Sequence, residues 1–237
     1  MTRRRWIADE VSGNQAALIG QHAEHLARVL RVRVGQSFDL VAGESVRRAV
    51  VTSVDEGRVE FELGEEVTSF PLSKVTLLMA IFKFDRMEWA IEKCTELGIA
   101  GIVPVVARRT DAHLASAAGN RVPRWERIVL QASEQSRRVS VPRIAEPSKL
   151  KDAVRDATGT RILLSESEKK LSLQEAVEAH SSSETLLLAV GPEGGWTDDE
   201  FVIFAQCGWV AASLGSTILR AETAAIAATA IAMSALS

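Results

Sequence analysis

The 237-residue sequence predicts a large α/β domain preceded by a small all-β domain. Three observations predict it. Before Pro71, short β-rich segments are separated by single glycines; after Lys74, apolar strands alternate with segments of helical periodicity. Toward the C-terminus, two apolar strands each end in a glycine-bearing loop that runs into a helix. In an open α/β sheet, ligands bind in the loops at the carboxyl ends of strands, so the last observation also places the candidate site.

In chain order, Arg5–Ala8, Ala17–Gly20, Gln36–Val41, Val46–Val54 and Arg58–Leu63 read as strands punctuated at Gly13, Gly35, Gly43 and Gly57, the spacing of a small β-barrel. One helix, Gln21–Val32, interrupts them with Leu26, Val29 and Leu30 on one face. Gly64–Lys74 reads as a linker, which divides the chain into domains at 1–70 and 74–237. Val75–Phe82 is a continuous apolar run of the kind buried on both faces of a parallel sheet. Met87, Ala90, Ile91, Cys94 and Leu97 then recur at helical spacing until Gly98 stops the helix. Strand Gly101–Val106 follows, then a helix from about Arg124 with Trp125, Ile128, Val129 and Ala132 inward. Strand Arg161–Leu164, helix Ser172–Ala179 and strand Thr185–Val190 continue the alternation. Thr197-Asp-Asp-Glu200 is a capping box opening a helix with Phe201, Phe204 and Ala205 inward. Strand Trp209–Leu214 and an alanine-rich helix from about Thr223 complete the domain.

Composition narrows the function classes. Apolar content of 46% and charged content of 25% describe a globular protein. Cys94 and Cys207 are too few for a disulfide framework or a four-ligand zinc site, and four scattered histidines add no metal signature. No targeting segment or membrane span is visible: Ile7-Ala-Asp-Glu-Val follows Arg3-Arg4-Arg5 where a leader would need an apolar run, and Ala224–Leu236 is too short to span a bilayer. A cytoplasmic protein is expected. The net charge of −3 argues against a strongly basic nucleic-acid binder, yet every cation before Lys74 is an arginine, a side chain suited to phosphate oxygens.

The chemistry concentrates in two segments. Gly191-Pro-Glu-Gly-Gly195 sets three glycines, a proline and Glu193 at a strand end, where glycine lets a ligand approach the backbone. No Gly-Lys-Ser/Thr follows, and the glycine spacing is wrong for a dinucleotide fingerprint. In Leu214-Gly-Ser-Thr-Ile-Leu-Arg-Ala-Glu-Thr223, Glu222 stands where the last helix begins, a position that also suits an acid for the helix dipole. Arg220 is a cation able to bind a phosphate or stabilise a developing anion.

These segments carry a resemblance. The chain resembles the RsmE family of 16S ribosomal RNA uridine N3-methyltransferases, in the SPOUT superfamily. The likeness runs through His25–Gly35, Glu92–Gly98 with Ile102-Val-Pro104, Arg124–Arg138 with Val141-Pro142, Gly191–Gly195 and Ile218–Thr223. It departs at Arg109-Thr110, where serine commonly follows the arginine, and at Arg47-Arg48, which replace a position often aromatic.

The resemblance implies a C-terminal SPOUT α/β domain with a trefoil knot and an N-terminal PUA-like barrel that grips RNA. It implies S-adenosylmethionine (AdoMet) as cofactor, 16S rRNA within the small ribosomal subunit as partner, a homodimer, and neither metal nor membrane. The cofactor would lie over the loops after Leu164, Val190 and Leu214, with Leu188, Gly191, Gly194, Gly195, Gly215, Ile218, Leu219 and Arg220 in contact. Arg220 would stabilise the uridinate oxygen, and Glu193 and Glu222 stand as alternatives for base or positioning group. Arg3, Arg5, Arg28, Arg31, Arg108 and Arg138 would contact RNA, Arg28 and Arg31 from one helical turn. Glu96, Glu134 and Gln135 would line the RNA side or brace the knot, and His25 would serve the RNA surface or simply sit on the helix face. The alternatives are a SPOUT ribose 2′-O-methyltransferase of tRNA or rRNA and a non-catalytic RNA-binding assembly factor.

Overall fold

A computed structural model describes residues 5–43, 45–67, 73–180 and 185–236. The chain divides into two compact units, Met1–Leu72 with Ser133–Ser140, and Ser73–Ala132 with Val141–Ser237.

In the first unit, β1 (Trp6–Ile7), β2 (Glu10–Ser12), β3 (Gln15–Ile19), β4 (Ser37–Ala42), β5 (Ser45–Asp55) and β6 (Arg58–Val67) form one sheet in the order β1-β4-β5-β6-β3-β2. β1 and β2 are consecutive in the chain yet lie at opposite ends of that order. Trp6–Ser12 is therefore one bent strand that passes from the β4 edge to the β3 edge and closes a barrel. The change of edge takes a single residue: Ala8 N donates to Val41 O at 2.9 Å, and Asp9 N to Ala17 O at 3.0 Å. Closure removes the open edges that would otherwise invite pairing with another chain. Register shifts between Arg47 and Ala49 and between Val51 and Ser53 bend the long β5–β6 ribbon. Trp6, Leu18, Leu26, Leu40 and Phe61 fill the interior. Val139, from the Ser133–Ser140 segment, packs with Val41 and Val46.

Besides the presence of β2, which no sequence signal marks, two details differ from what the sequence predicts. The helix in this unit starts as α1 (Gly20–Glu24) and widens into a π-type turn over His25–Val29, where Leu30 N donates to His25 O at 3.1 Å. The extra residue per turn breaks the expected face: Leu26 is buried, but Val29 is 64% and Leu30 37% exposed. The chain leaves the helix at Leu30 and Arg31 takes a left-handed φ of 51°, so Arg28 and Arg31 do not share a helical turn. Second, β6 runs on to Val67 opposite Val46, which puts Gly64 inside a strand instead of a linker. Residues 68–72 lie outside the described residues.

In the second unit, every strand pairing is parallel. β7 (Val75–Ala80), β8 (Gly101–Val106), β10 (Ser148–Lys149), β11 (Thr160–Leu164), β12 (Leu186–Val190) and β13 (Val210–Ala212) run in the order β10-β8-β7-β12-β11-β13, with β9 (Arg143–Ile144) also on β8. Side chains alternate across each strand. Val75, Leu77 and Met79 enter one core with α2 (Phe84–Leu97), α4 (Val122–Gln135), α6 (Leu173–Glu178) and α8 (Ala221–Ala235). Leu78 and Ala80 enter a second core with α5 (Leu150–Asp156) and α7 (Asp198–Gln206). Burial on both faces is why these strands are continuously apolar. A short α3 (Ala112–Ala117), unmarked by periodicity, is capped by the Asp111 carboxylate, which accepts from His113 N at 2.8 Å.

Helix faces follow the sequence except at Leu97, the 37% exposed end of the α2 face, and at Ala205. Trp125, Val129 and Ala132 are buried, with Ile128 packed alongside. In α7, Phe204 is buried and Phe201 partly so, but Ala205 is exposed. A face built on Phe204 alone is narrow, and a small side chain beside it loses little by facing water. Ala225, Ala228 and Ala232 let α8 approach closely, and Thr229 Oγ1 donates to Ala225 O at 2.8 Å beside Cys94 Sγ at 3.4 Å. Burial pushes the Cys94 thiol up to about 12.

Gly98 ends α2 with φ 112°, and a Cβ there would meet Met233 Cε of α8 at 3.0 Å. Gly98→Ala is expected to cost about 1–3 kcal/mol, the usual cost of forcing a side chain into left-handed backbone. A lowered urea midpoint at unchanged m-value checks it. The same packing predicts that at pH 8 a thiol reagent labels the partly exposed Cys207 in native protein, and Cys94 only on unfolding.

Candidate active site

Because β12 lies between β7 and β11, with β13 on the outer side of β11, three loops meet at the carboxyl ends of adjacent strands. They follow β11, β12 and β13 and enclose a cleft of about 420 Å³. Open α/β sheets bind ligands at such a place.

The loop after β12 is built for close approach. Gly195 N donates to Pro192 O at 2.8 Å, closing a turn that presents Glu193, and Gly195 has φ 70°. Behind it stands an edge-to-face row of aromatic rings, Trp196 against Phe204 at 5.0 Å and Phe204 against Trp209 at 5.2 Å. A Cβ on Gly191 would press on the Trp196 ring at 3.3 Å, which explains glycine there. The Trp196 Nε1 donor is buried on this cleft wall with no hydrogen-bond partner among the described residues. The capping box of α7 ties the wall together: Glu200 accepts from Thr197 N at 2.8 Å and from Arg108 N at 2.7 Å. After β13, Gly215 takes φ 121°, and its N–H donates to Ser213 Oγ at 3.1 Å.

The structure brings most of the expected cofactor residues together. Leu164, Val190, Gly191, Glu193, Gly195, Leu214, Gly215, Ile218 and Leu219 line the cleft. Leu188 does not line it; it lies within β12, paired to Leu77 and Ile162 and buried in the core. Gly194 faces Arg109, and Arg220 is the exposed residue preceding α8. Glu222, in the first turn of α8, is buried.

Two arginines organise this site, Arg109, which the sequence marks only through the residue that follows it, and Arg86, which no sequence motif marks. Arg109, beyond β8, donates to Gly194 O and lies 3.4 Å from Trp196 O, latching the loop after β12. Arg86, on the first turn of α2, places one Nη1 3.8 Å from Glu193 Oε1 and 3.7 Å from Glu222 Oε1. The signal for Arg86 is a cation a few residues past a strand end, and it becomes meaningful only once the strand order is known. Glu166, from the loop after β11, also lines the cleft.

The expected RNA contacts are divided between the two units, Arg5, Arg28, Arg31 and Arg138 in the first and Arg108 in the second. Arg3 lies outside the described residues. Arg5, its pKa lowered chiefly by burial, donates to Arg137 O at 2.6 Å, and burial pushes Arg138 down to about 10 while its Nε donates to Ser140 O at 3.1 Å. Arg28 pairs with Glu56 at 3.1 Å, and Arg31 and Arg108 are exposed. Glu96 pairs with Lys93 on its own helix at 2.8 Å. Glu134 is buried in the first unit, 3.4 Å from His22 Nε2; Gln135 is exposed, and the His25 ring packs 5.6 Å from that of Trp6. Among the described residues, no group of three or more His, Cys, Asp or Glu gathers to hold a metal, and no helix is long and apolar enough to cross a membrane.

Glycine-bearing loops gathered at the ends of adjacent parallel strands, with two acids sharing an arginine, mark a ligand site on an α/β sheet, and comparison gives it a family. Residues 68–233 match the family model of the RNA methyltransferase domain, and the chain belongs to that family. It is 35% identical over 205 residues to the ribosomal RNA small subunit methyltransferase E of Synechocystis, covering 84% of this chain and 66% of that one. The corresponding protein of Mycobacterium bovis is 33% identical over 227 residues, with 92% and 85% covered. The crystal structure of ribosomal RNA small subunit methyltransferase E from Neisseria gonorrhoeae bound to S-adenosyl methionine is 32% identical, with TM-score 0.82 over 96% of this chain and 95% of that one.

The latch yields a direct expectation. Arg109→Ala should raise amide hydrogen exchange of Gly194, Gly195 and Trp196 roughly five- to tenfold, as loss of exposed charge-assisted hydrogen bonds implies, and leave the amides of β7 and β12 unchanged.

Proposed function

We propose that the protein transfers a methyl group from AdoMet to N3 of a specific uridine in 16S rRNA of the small ribosomal subunit. The observation that carries this reading is the convergence of three strand-end loops on one cleft beside the Arg86, Glu193 and Glu222 cluster. It is supported by whole-chain similarity to a relative described as bound to S-adenosyl methionine.

The cleft fits the cofactor. Its volume is within the range of small-molecule sites. Leu164, Val190 and Leu219 offer an apolar slot. The glycines at 191, 195 and 215 bare the backbone, and Trp196 Nε1 and the Glu166 carboxylate supply a donor and an acceptor on the wall. When bound, AdoMet supplies an electrophilic methyl group on a sulfonium.

The remaining work falls to side chains. Uridine N3 carries a proton at neutral pH, and attack on the methyl carbon requires its loss. Of the acids at the cleft, Glu193 and Glu222, which share Arg86, are the candidates to take it, and Arg220 stabilises the charge that develops on the ring oxygen. Holding N3 in line with the methyl carbon supplies much of the remaining acceleration. The barrel grips the RNA, two copies of the chain pair in a trefoil-knotted SPOUT arrangement, and the reaction takes place in the cytoplasm.

Nucleoside mass spectrometry on small-subunit RNA lacking its native N3-methyluridine tests the reading, with free RNA and assembled subunits each incubated with the protein and AdoMet. New N3-methyluridine is expected; a ribose-methylated nucleoside would move the assignment to a 2′-O-methyltransferase. Arg220→Ala is expected to slow single-turnover transfer by roughly 10²–10³-fold, the scale of a lost anion-stabilising group. Calorimetric AdoMet affinity should change little, and a variant that lost AdoMet affinity but kept its rate would remove Arg220 from that role.

A further inference from the structure

Glu222 and Glu193 occupy different physical situations around one cation. Glu222 is 5% exposed on α8, between Ala221 and Thr223; Ala221 and Ala224 line the cleft, and Glu222 lies behind them. Its Oε1 is 3.7 Å from Arg86 Nη1, and its Oε2 is buried with no hydrogen-bond partner among the described residues. The Glu193 side chain is 40% exposed, on the turn after β12, with its Oε1 3.8 Å from the same Arg86 nitrogen. At these distances the guanidinium is an ion-pair partner of both acids without a short hydrogen bond to either. A desolvated carboxylate oxygen without a donor is unusual enough in a folded protein to need a reason.

We propose that Glu222, and not Glu193, accepts the proton of the target base nitrogen, and that Arg86 is the positioning residue that holds Glu222 for it. This rests on the reading above that a methyl group is transferred to a ring nitrogen. The proton passes from the base nitrogen to Glu222 Oε2. The electron pair left on nitrogen forms the bond to the methyl carbon, the carbon–sulfur bond breaks, and its pair stays on sulfur. The proton later leaves Glu222 for water.

The asymmetry of the cluster decides between the acids. Water competes for the exposed Glu193 oxygens, whereas Glu222 Oε2 is shielded from water and has no donor among the described residues. Arg86 completes the device. As Glu222 is neutralised its hold on the guanidinium falls, and Glu193, almost equally distant, keeps the cation paired. The cluster of two carboxylates and one guanidinium thus passes from a net charge of −1 to zero without stranding a charge.

The experiment uses the full chain, AdoMet and small-subunit RNA, reading single-turnover rate, kcat and KM for RNA, AdoMet affinity by calorimetry, and Tm. Glu222→Gln keeps the shape of the side chain and is expected to lower the single-turnover rate by roughly 10²–10⁴-fold, the span of general-base effects, with AdoMet affinity within about threefold of wild type. Glu222→Asp, a carboxylate set back by one methylene, is expected to fall between. Glu193→Gln should lose less than about tenfold. Arg86→Gln should lower kcat with KM for RNA nearly unchanged, and Arg86→Lys should recover most of the loss. A Glu222→Gln variant that bound AdoMet and turned over at the wild-type rate would overturn the assignment, as would a larger loss in Glu193→Gln. A loss in Arg86→Gln carried by KM and Tm, and not relieved in Arg86→Lys, would reduce Arg86 to a structural ion pair. Wild-type protein that methylated ribose, or nothing, would defeat the functional reading itself, and that is seen before any substitution is compared.

Discussion

The site depends on the insertion of β12 between β7 and β11. Leu186 to Val190 pair with Val75 to Met79 on one side, and Leu186 to Ala189 with Thr160 to Leu163 on the other. That strand is hydrogen-bonded along both edges and buried on both faces, so its end is held firmly. Gly191 begins where the pairing stops. The loop that follows inherits its position from a strand secured along both edges, as a site needing sub-ångström placement requires. The loops after β11 and β13 meet it because those strands are its near neighbours.

Around that anchor the protein spends its charged groups on fixing backbone. Glu200 holds the start of α7 and the amide beyond β8 at once. Arg109 holds carbonyls of the glycine loop. Each is a charged side chain acting on peptide groups, so glycine can be used freely in the loop without leaving it slack. Glycine is required where Gly191 meets the Trp196 ring and where Gly195 turns with positive φ. The entropy lost in ordering such residues is offset by these cross-links.

The barrel solves a different problem with similar economy. A small sheet has two edges, and one bent strand, Trp6–Ser12, covers both. The bend falls between Ala8 and Asp9, whose amides serve opposite edges. Trp6 then plugs the interior beside His22 and His25. Nothing in the local pattern of these residues announces the closure, because a bent strand and two short ones have the same apolar alternation.

The sequence by itself determined the main strands and helices of the second unit, though not α3, α5, β9 or β10, together with the carboxyl-end location of its loops and part of the cleft lining. Apolar runs, helical periodicity and capping boxes are local, and burial on both faces leaves an unambiguous trace in strands such as Val75–Ala80. It also singled out Glu193, Arg220 and Glu222, since acids and an arginine among glycines are conspicuous in one dimension. Only the tertiary structure decided the strand order, the π-type turn that exposes Val29 and Leu30, the extension of β6 to Val67 and the packing of Ser133–Ser140 with the barrel. It alone joined Arg86 to two carboxylates more than a hundred residues away in the chain. The physical reason is the same in each case. Periodicity records which face of a segment is buried, whereas a long-range ion pair or a strand insertion depends on which segments become neighbours, and that is settled by packing the whole sheet.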